Sequence, residues 1–382
     1  MPTTTPATIV PGDRVAALDG LRGLAVLVVI VHNAGYVLGS TRALLTQLAA
    51  TLSGAGWVGV QLFFVLSGYL ITGILLDSRG RPGYFRSFYL RRTLRIFPPY
   101  YALLLLTLLA APLLASPALD AALRAHQWTF WLYVSNWTQP FGASVPGWSH
   151  LWSLAVEEQF YLAWPLLVRG LGRRGLVPLS VAMVVAGPAV RLALRAAELP
   201  ADTAYQFTIA RWDALAAGAL LAALLREAGG SAHVRRWSVP ALVTSLAALG
   251  AVFVLARGLP SDDRLVQVAG QSLVTVACTA LLALALRPAD ASPLARALAR
   301  RPLRETGRYS YALYLAHFPI HTLLAARLGA WVTADDSPWR LARGAVHVGA
   351  VLVLSLAAAM ASWRLLERPL LRLKDRVAPR AA

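Results

Sequence analysis

The amino-acid sequence predicts an all-α, polytopic integral membrane protein with about ten transmembrane helices and both termini cytoplasmic. Hydrophobic residues make up 57% of the 382 positions and charged residues 14%, with a mean hydropathy of +0.57, which excludes an ordinary soluble domain. Apolar runs of about 20 residues, each long enough to cross the hydrocarbon core, recur near 18–39, 57–76, 97–115, 150–168, 176–194, 207–225, 237–256, 265–286, 309–326 and 342–363. With the N-terminus inside, 25 of the 36 Lys and Arg residues fall on cytoplasmic segments and seven on outer loops, the asymmetry that orients membrane proteins. The net charge of +18 is therefore mainly topology. Its partner is the anionic headgroup surface of the bilayer rather than nucleic acid. These observations predict a multi-pass plasma-membrane protein.

Residues 1–13, rich in Thr and Pro, read as a disordered lead, residues 14–373 as one membrane domain, and 374–382 as a basic cytoplasmic tail. The first span, LDGLRGLAVLVVIVHNAGY, is too long for a cleavable signal peptide and carries Arg22 and His32. Ten residues separate the two by about 15 Å on a helix, so Arg22 is expected at the cytoplasmic interface and His32 near mid-membrane. Ionisable groups at such depth are costly and mark functional sites by default. An imidazole there can exchange protons near neutrality. In the second span Gly68 of SGYL is expected to relieve crowding between helices; the tetrapeptide is not a hydrolase elbow.

The next inner loop, RGRPGYFRSFYLRRTLRIFPPYY, interleaves Arg86, Arg91, Arg92 and Arg95 with aromatics. Arginine forks recognise phosphates and stack on flat rings, which suits a nucleotide-bearing anion. An amphipathic interfacial helix held by anionic lipid explains the same spacing without a ligand. Pro98-Pro99 is expected to disfavour helix continuation and set the entry to span three. The outer stretch 116–149 is itself aromatic and is expected to pack at the membrane interface. Span four, HLWSLAVEEQFYLAWPLL, places His150 and Trp152 at its outer end, with Glu157, Glu158, Gln159 and Tyr161 inside. Adjacent carboxylates point about 100° apart on a helix, so the two glutamates cannot share one cavity. Each is a site residue or half of an ion pair with a membrane arginine.

Arg211 and Asp213 open span six, as a mutual salt bridge or as acceptor contacts. Cys278, the single cysteine, lies in an apolar run and reads as a buried, inert thiol. Span nine, RYSYALYLAHFPIH, offers Tyr314 and His317 as supporting groups; a lone helical histidine is more often a satisfied hydrogen-bonding group than a catalyst. No zinc-ligand spacing, glycine-rich phosphate loop or GxSxG elbow occurs, so no metal is expected. No internal repeat points to an inverted-repeat transporter.

Taken together, LDGLRGLAVLVVIVH, GVQLFFVLSGYLI, FYLRRTLRIFPPYY, HLWSLAVEEQFYLAWP, RWDALAAGALL, YSYALYLAHFPI and ERPLLRL resemble the membrane-bound acyltransferase-3 family, in family order from Asp19 to Leu373. The resemblance implies a ten-helix domain that O-acylates sugars, envelope polymers or secondary metabolites with acyl-CoA, most simply acetyl-CoA, as co-substrate and no permanent cofactor. It implies that Arg92 and Arg95, supported by Arg22, hold the CoA from the cytoplasm. His32 would be the general base or a transient acyl carrier, and Glu157 would orient or charge-stabilise it. His150, Trp152, Arg211, Asp213, Tyr314 and His317 would support the acceptor, a hydroxyl-bearing glycan or a glycosylated, macrolide-type small molecule. The sequence leaves no room for the extra SGNH-type domain of some members, so any second transfer step would fall to a separate protein. Two other classes compete. A proton-coupled transporter or exporter also places His and Glu at mid-membrane. A lipid-binding scaffold would not need Arg92 or Arg95 for CoA affinity. The near-exclusive use of arginine, with Lys374 the one lysine, and the alanine-rich helices suggest a high-GC bacterial background.

Overall fold

A computed structural model describes residues 16–39, 41–114, 116–287, 292–337 and 339–377. The expected N-terminal lead lies outside the described residues, as does the end of the basic tail. Among the described residues every regular element is helical. The chain opens with α1 (Ala16–Gly35), a short α2 (Leu44–Gly54), α3 (Val58–Ser78) and α4 (Tyr84–Leu114). An outer excursion then forms α5 (Pro117–Trp131) and α6 (Ser135–Thr138) before α7 (Trp152–Ala196). The second half holds α8 (Ala201–Gln206), α9 (Thr208–Leu224), α10 (Gly230–Leu255), α11 (Gln271–Ala285), α12 (Pro293–Leu298), α13 (Arg301–Arg308), α14 (Ser310–Val332), α15 (Trp339–Ser362) and α16 (Arg368–Val377).

Eight helical stretches among the described residues are long and apolar enough to cross a membrane. One of them, Ser149–Ala196, contains two of the ten expected spans, because α7 breaks at Gly172, where φ is +60°. That left-handed conformation costs glycine little, and a Cβ there would meet the Arg79 guanidinium at 2.7 Å. The expected ninth span is present as α14 but falls outside the eight. It carries His317, His321 and Arg327, which lower its apolarity.

The bundle is drawn together where glycines let backbones touch. A Cβ on Gly68 of α3 would lie 1.9 Å from the Leu215 carbonyl of α9, and one on Gly218 of α9 would lie 2.0 Å from the Val65 carbonyl of α3. Gly20 and Gly23 seat α1 equally closely on α12 and α13. Near the end of α7 and the start of α9, Arg191 and Asp213 form a fully buried pair at 2.8 Å.

Two expectations about connections are corrected. Pro98 and Pro99 do not end a helix: α4 runs through both, so the arginine-rich inner segment and span three are one element. A packed helix tolerates proline, and in this turn the Tyr311 hydroxyl of α14 donates to the Ile96 carbonyl at 2.8 Å and ties the two helices together. The outer stretch 116–149 does not simply rest at the interface. Capped by Ser116 and started by Pro117, α5 turns back along α4 until the Tyr100 and Tyr101 hydroxyls donate to the Phe130 and Trp131 carbonyls, at 2.9 and 3.1 Å. Phe130 and Trp148 are buried, whereas Trp128, Leu132 and Phe141 face outward.

Candidate active site

His32 sits in the last turn of α1, three residues from the C-terminal end of the helix. Its Nδ1 lies 2.8 Å from the Ser53 carbonyl, which can only accept, so Nδ1 carries the proton. Nε2 is thereby left with a lone pair, and it accepts from the Tyr36 hydroxyl at 3.0 Å. The imidazole is held with its basic nitrogen toward a cavity of about 280 Å³. Close packing fixes the ring's position, since a Cβ on Gly56 would lie 2.6 Å from the His32 Cβ. The cavity is lined by His32, Tyr36, His150, Trp152 and Tyr314, and by outer-loop side chains that include Ser144, Asp202 and Ser261. By the charge asymmetry these loops are extracytoplasmic.

The supporting residues divide. The His150 ring packs edge-on against His317 and Phe318 and tilted against Tyr314, with centroids 5.0 to 5.3 Å apart. The Tyr314 hydroxyl is shared with Ser153 at 2.6 Å and donates to the His150 carbonyl at 2.9 Å. His317 has both ring nitrogens engaged: Nδ1 donates to the Tyr314 carbonyl at 2.7 Å, and Nε2 accepts from Asn33 at 2.8 Å. It ties α14 to α1 beside His32 and offers no free lone pair. Arg211 and Asp213 do not pair with each other, because Asp213 takes Arg191. Arg211 donates to Gln271 at 2.5 Å and is enclosed by the rings of Phe64, Trp152 and Tyr205 at 5.0 to 5.5 Å. It backs the aromatic wall of the cavity.

Glu157 is not beside His32; among the described residues no hydrogen bond joins them. Its Oε1 accepts from Ser67 of α3 at 2.7 Å. Ser67 lies eleven residues beyond Gly56, the residue that abuts His32, or about 16 Å along α3 toward the cytoplasm. Seven residues past His150 on a descending helix, the carboxylate falls too deep to meet an imidazole at the outer end of α1. It instead joins a cytoplasmic-side cluster, within electrostatic range of Arg22 and Arg92. Arg22 pairs with Asp19 at 3.5 Å. Arg92 lies over the Tyr161 ring at 5.1 Å, and Arg95 is exposed, within range of Arg22, Arg92 and Glu367. Arg22, Arg92 and Arg95 thus gather with the carboxylates of Asp19, Glu157, Glu158 and Glu367 into one cluster of charged side chains on the cytoplasmic side.

Sequence reasoning missed Tyr36 and Ser53, which set the tautomer of His32. Only the turn spacing of Tyr36 from His32 could have flagged it; Ser53 is a backbone partner without a signature. Cys278 is a buried free thiol, and no metal-ligating cluster occurs among the described residues.

A family model described as an acyltransferase domain matches residues 15–364. The chain is 29% identical to peptidoglycan O-acetyltransferase OatA of Listeria monocytogenes over 372 residues, covering 93% of this chain and 56% of that protein. It is 29% identical to O-acetyltransferase OatA of Staphylococcus aureus over 323 residues, covering 79% of this chain and 50% of that protein. The chain therefore spans about half the length of these relatives. No solved structure matches it.

Proposed function

We infer the chemistry from one premise: the chain belongs to the acyltransferase-3 family. It is an integral-membrane O-acetyltransferase that moves an acetyl group from acetyl-CoA to a hydroxyl of a cell-wall glycan. The observation that carries this reading is the His32 tautomer, fixed by Ser53 so that a lone pair on Nε2 faces a cavity accessible from the extracytoplasmic loops. The names of the relatives support the acetyl group and the glycan.

The donor's anionic phosphates bind the Arg22, Arg92 and Arg95 cluster, where charge-assisted bonds are the strong ones. Its pantetheine arm lies along α1, whose ten residues from Arg22 to His32 span about 15 Å. The acceptor hydroxyl enters the cavity and displaces the Tyr36 hydroxyl from Nε2. As its oxygen attacks the thioester carbonyl, its proton passes to Nε2; the carbon–sulfur bond breaks and the departing thiolate takes the proton back from Nε2. A carrier route, in which Nε2 first accepts the acetyl group, uses the same lone pair, and rapid acid quench would distinguish it by trapping acetyl-histidine. Ser67 and Glu157 order the donor end.

The test is acetyl transfer from radiolabelled acetyl-CoA by membrane-inserted protein. His32→Ala should lower it by about 10²- to 10⁴-fold, the usual contribution of a general base, with CoA binding unchanged. Transfer at the wild-type rate would rule the reading out.

A further inference from the structure

Three carboxamides line the cavity over His32: Asn33 is taken up by its bond to His317, and the other two are Gln139 and Gln206. Gln139 is 4% exposed, and among the described residues neither its Nε2 nor its Oε1 meets a hydrogen-bond partner. Gln206 is 7% exposed and leaves its Oε1 equally unmatched. Buried polar groups in native proteins are nearly always hydrogen-bonded. Unmatched ones on the wall of a cavity point to a partner that is not part of the chain.

The segments that present them are rigidly built. Tyr133 holds a left-handed φ of +53°, a strained conformation for a bulky aromatic residue, and such strain persists only where the surroundings over-determine it. Gln159 of α7 supplies that determination. Its Nε2 donates to the Tyr133 carbonyl at 2.8 Å and to Asn136 Oδ1 at 2.9 Å, while its Oε1 accepts from the Trp137 indole at 3.0 Å and from the Thr208 hydroxyl. Asn136 in turn donates to Thr208 Oγ1 at 2.8 Å and to the Gln206 carbonyl at 3.3 Å. One side chain thus locks the turn leading to Gln139 against the end of α8, which carries Gln206.

We propose that Gln139 and Gln206 form the glycan-reading subsite, with Gln159 as the residue that positions them. Each carboxamide both donates and accepts, which matches the adjacent hydroxyls of an uncharged sugar ring. Trp152 and Tyr205, on the same cavity wall, offer flat faces for the ring's C–H surface, and the Asp202 carboxylate accepts from hydroxyls while repelling anionic acceptors. This subsite rests on the reading of the cavity as the acceptor site.

Saturation-transfer NMR on the full-length protein in detergent micelles, with maltotetraose and with chitotetraose as probes, tests it. At least one tetrasaccharide should receive saturation from the wild type. Its Kd should rise at least tenfold in Gln139→Leu and in Gln206→Leu, with Gln139→Met and Gln206→Met as gentler alternatives should a leucine variant fail to fold. Gln159→Leu should weaken glycan binding while leaving the CoA Kd unchanged, a split that general unfolding would not give. Absence of transfer to either sugar, or an unchanged Kd in both glutamine variants, overturns the subsite. Wild-type protein that binds a tetrasaccharide yet never acetylates a glycan would defeat the proposed function and leave the subsite standing. Normal acetylation with unaffected glutamine variants would do the reverse.

Discussion

Single side chains in this bundle earn their place by how completely they are matched. Arg191 and Asp213 are both fully buried, and Arg191 also donates to the Ala210 carbonyl and the Ser272 hydroxyl. Removing one member leaves an uncompensated charge, so Asp213→Ala should destabilise the protein by about 3–5 kcal/mol. Replacing both partners with apolar residues of similar volume should cost far less, and thermal melting in detergent separates the two outcomes. On the cytoplasmic side the expected loss is of affinity rather than fold. Arg92→Ala and Arg95→Ala should each raise the KM for acetyl-CoA about tenfold, a lost charge-assisted hydrogen bond being worth about 1.5–3 kcal/mol. Identical kinetics in the double variant would remove these residues from the donor site. Much of the residue-scale picture was legible in the sequence. Charge inside an apolar run picks out Arg22, His32, His150 and Arg211 without any coordinates. Pairing was not legible, because partners such as Ser53 for His32, Ser67 for Glu157 and Arg191 for Asp213 lie on other elements, and their selection depends on helix rotation and depth.

Among elements, the long helices follow directly from apolar runs, which is why nearly every span was foreseen. The exceptions follow from rules in which tertiary contacts override local propensity. Proline reads as a stop, yet α4 continues through Pro98 and Pro99 because it is packed. An aromatic outer loop reads as interfacial, yet α5 doubles back along α4 because the Tyr100 and Tyr101 hydroxyls bind its last carbonyls. Crossings between elements set the precision of the site. A methyl group at Gly56 would press on His32, so Gly56→Ala should displace the imidazole and cut the acetylation rate by at least tenfold, while circular dichroism and CoA affinity stay near wild type. Gly68→Leu puts a branched side chain against the Leu215 backbone and should block assembly of α3 on α9 outright, read as loss of monodisperse protein in size exclusion.

For the molecule as a whole, the pattern is polarised: an arginine-rich cluster inside, a cavity lined by His32 and the single carboxylate of Asp202 outside, and α1 joining them. Cys278 is the chain's one cysteine and is buried, so a Cys278→Ala background permits direct mapping. In that background Ser144→Cys should react with a membrane-impermeant maleimide only from the extracytoplasmic side, and Arg81→Cys only from the cytoplasmic side. The opposite pattern would invert the assignment of donor and acceptor faces.

The break in α7 bears on how such a chain is made. With a single residue, Gly172, turning one span into the next, and with Arg79 filling the space beside it, the two spans have no connecting loop. Joined so closely, the two spans are expected to enter the bilayer together as a helical hairpin. A gene cut at that point should yield two fragments that fail to reassemble on coexpression, whereas a cut at the exposed turn around Gly83 should be repaired by ordinary helix association.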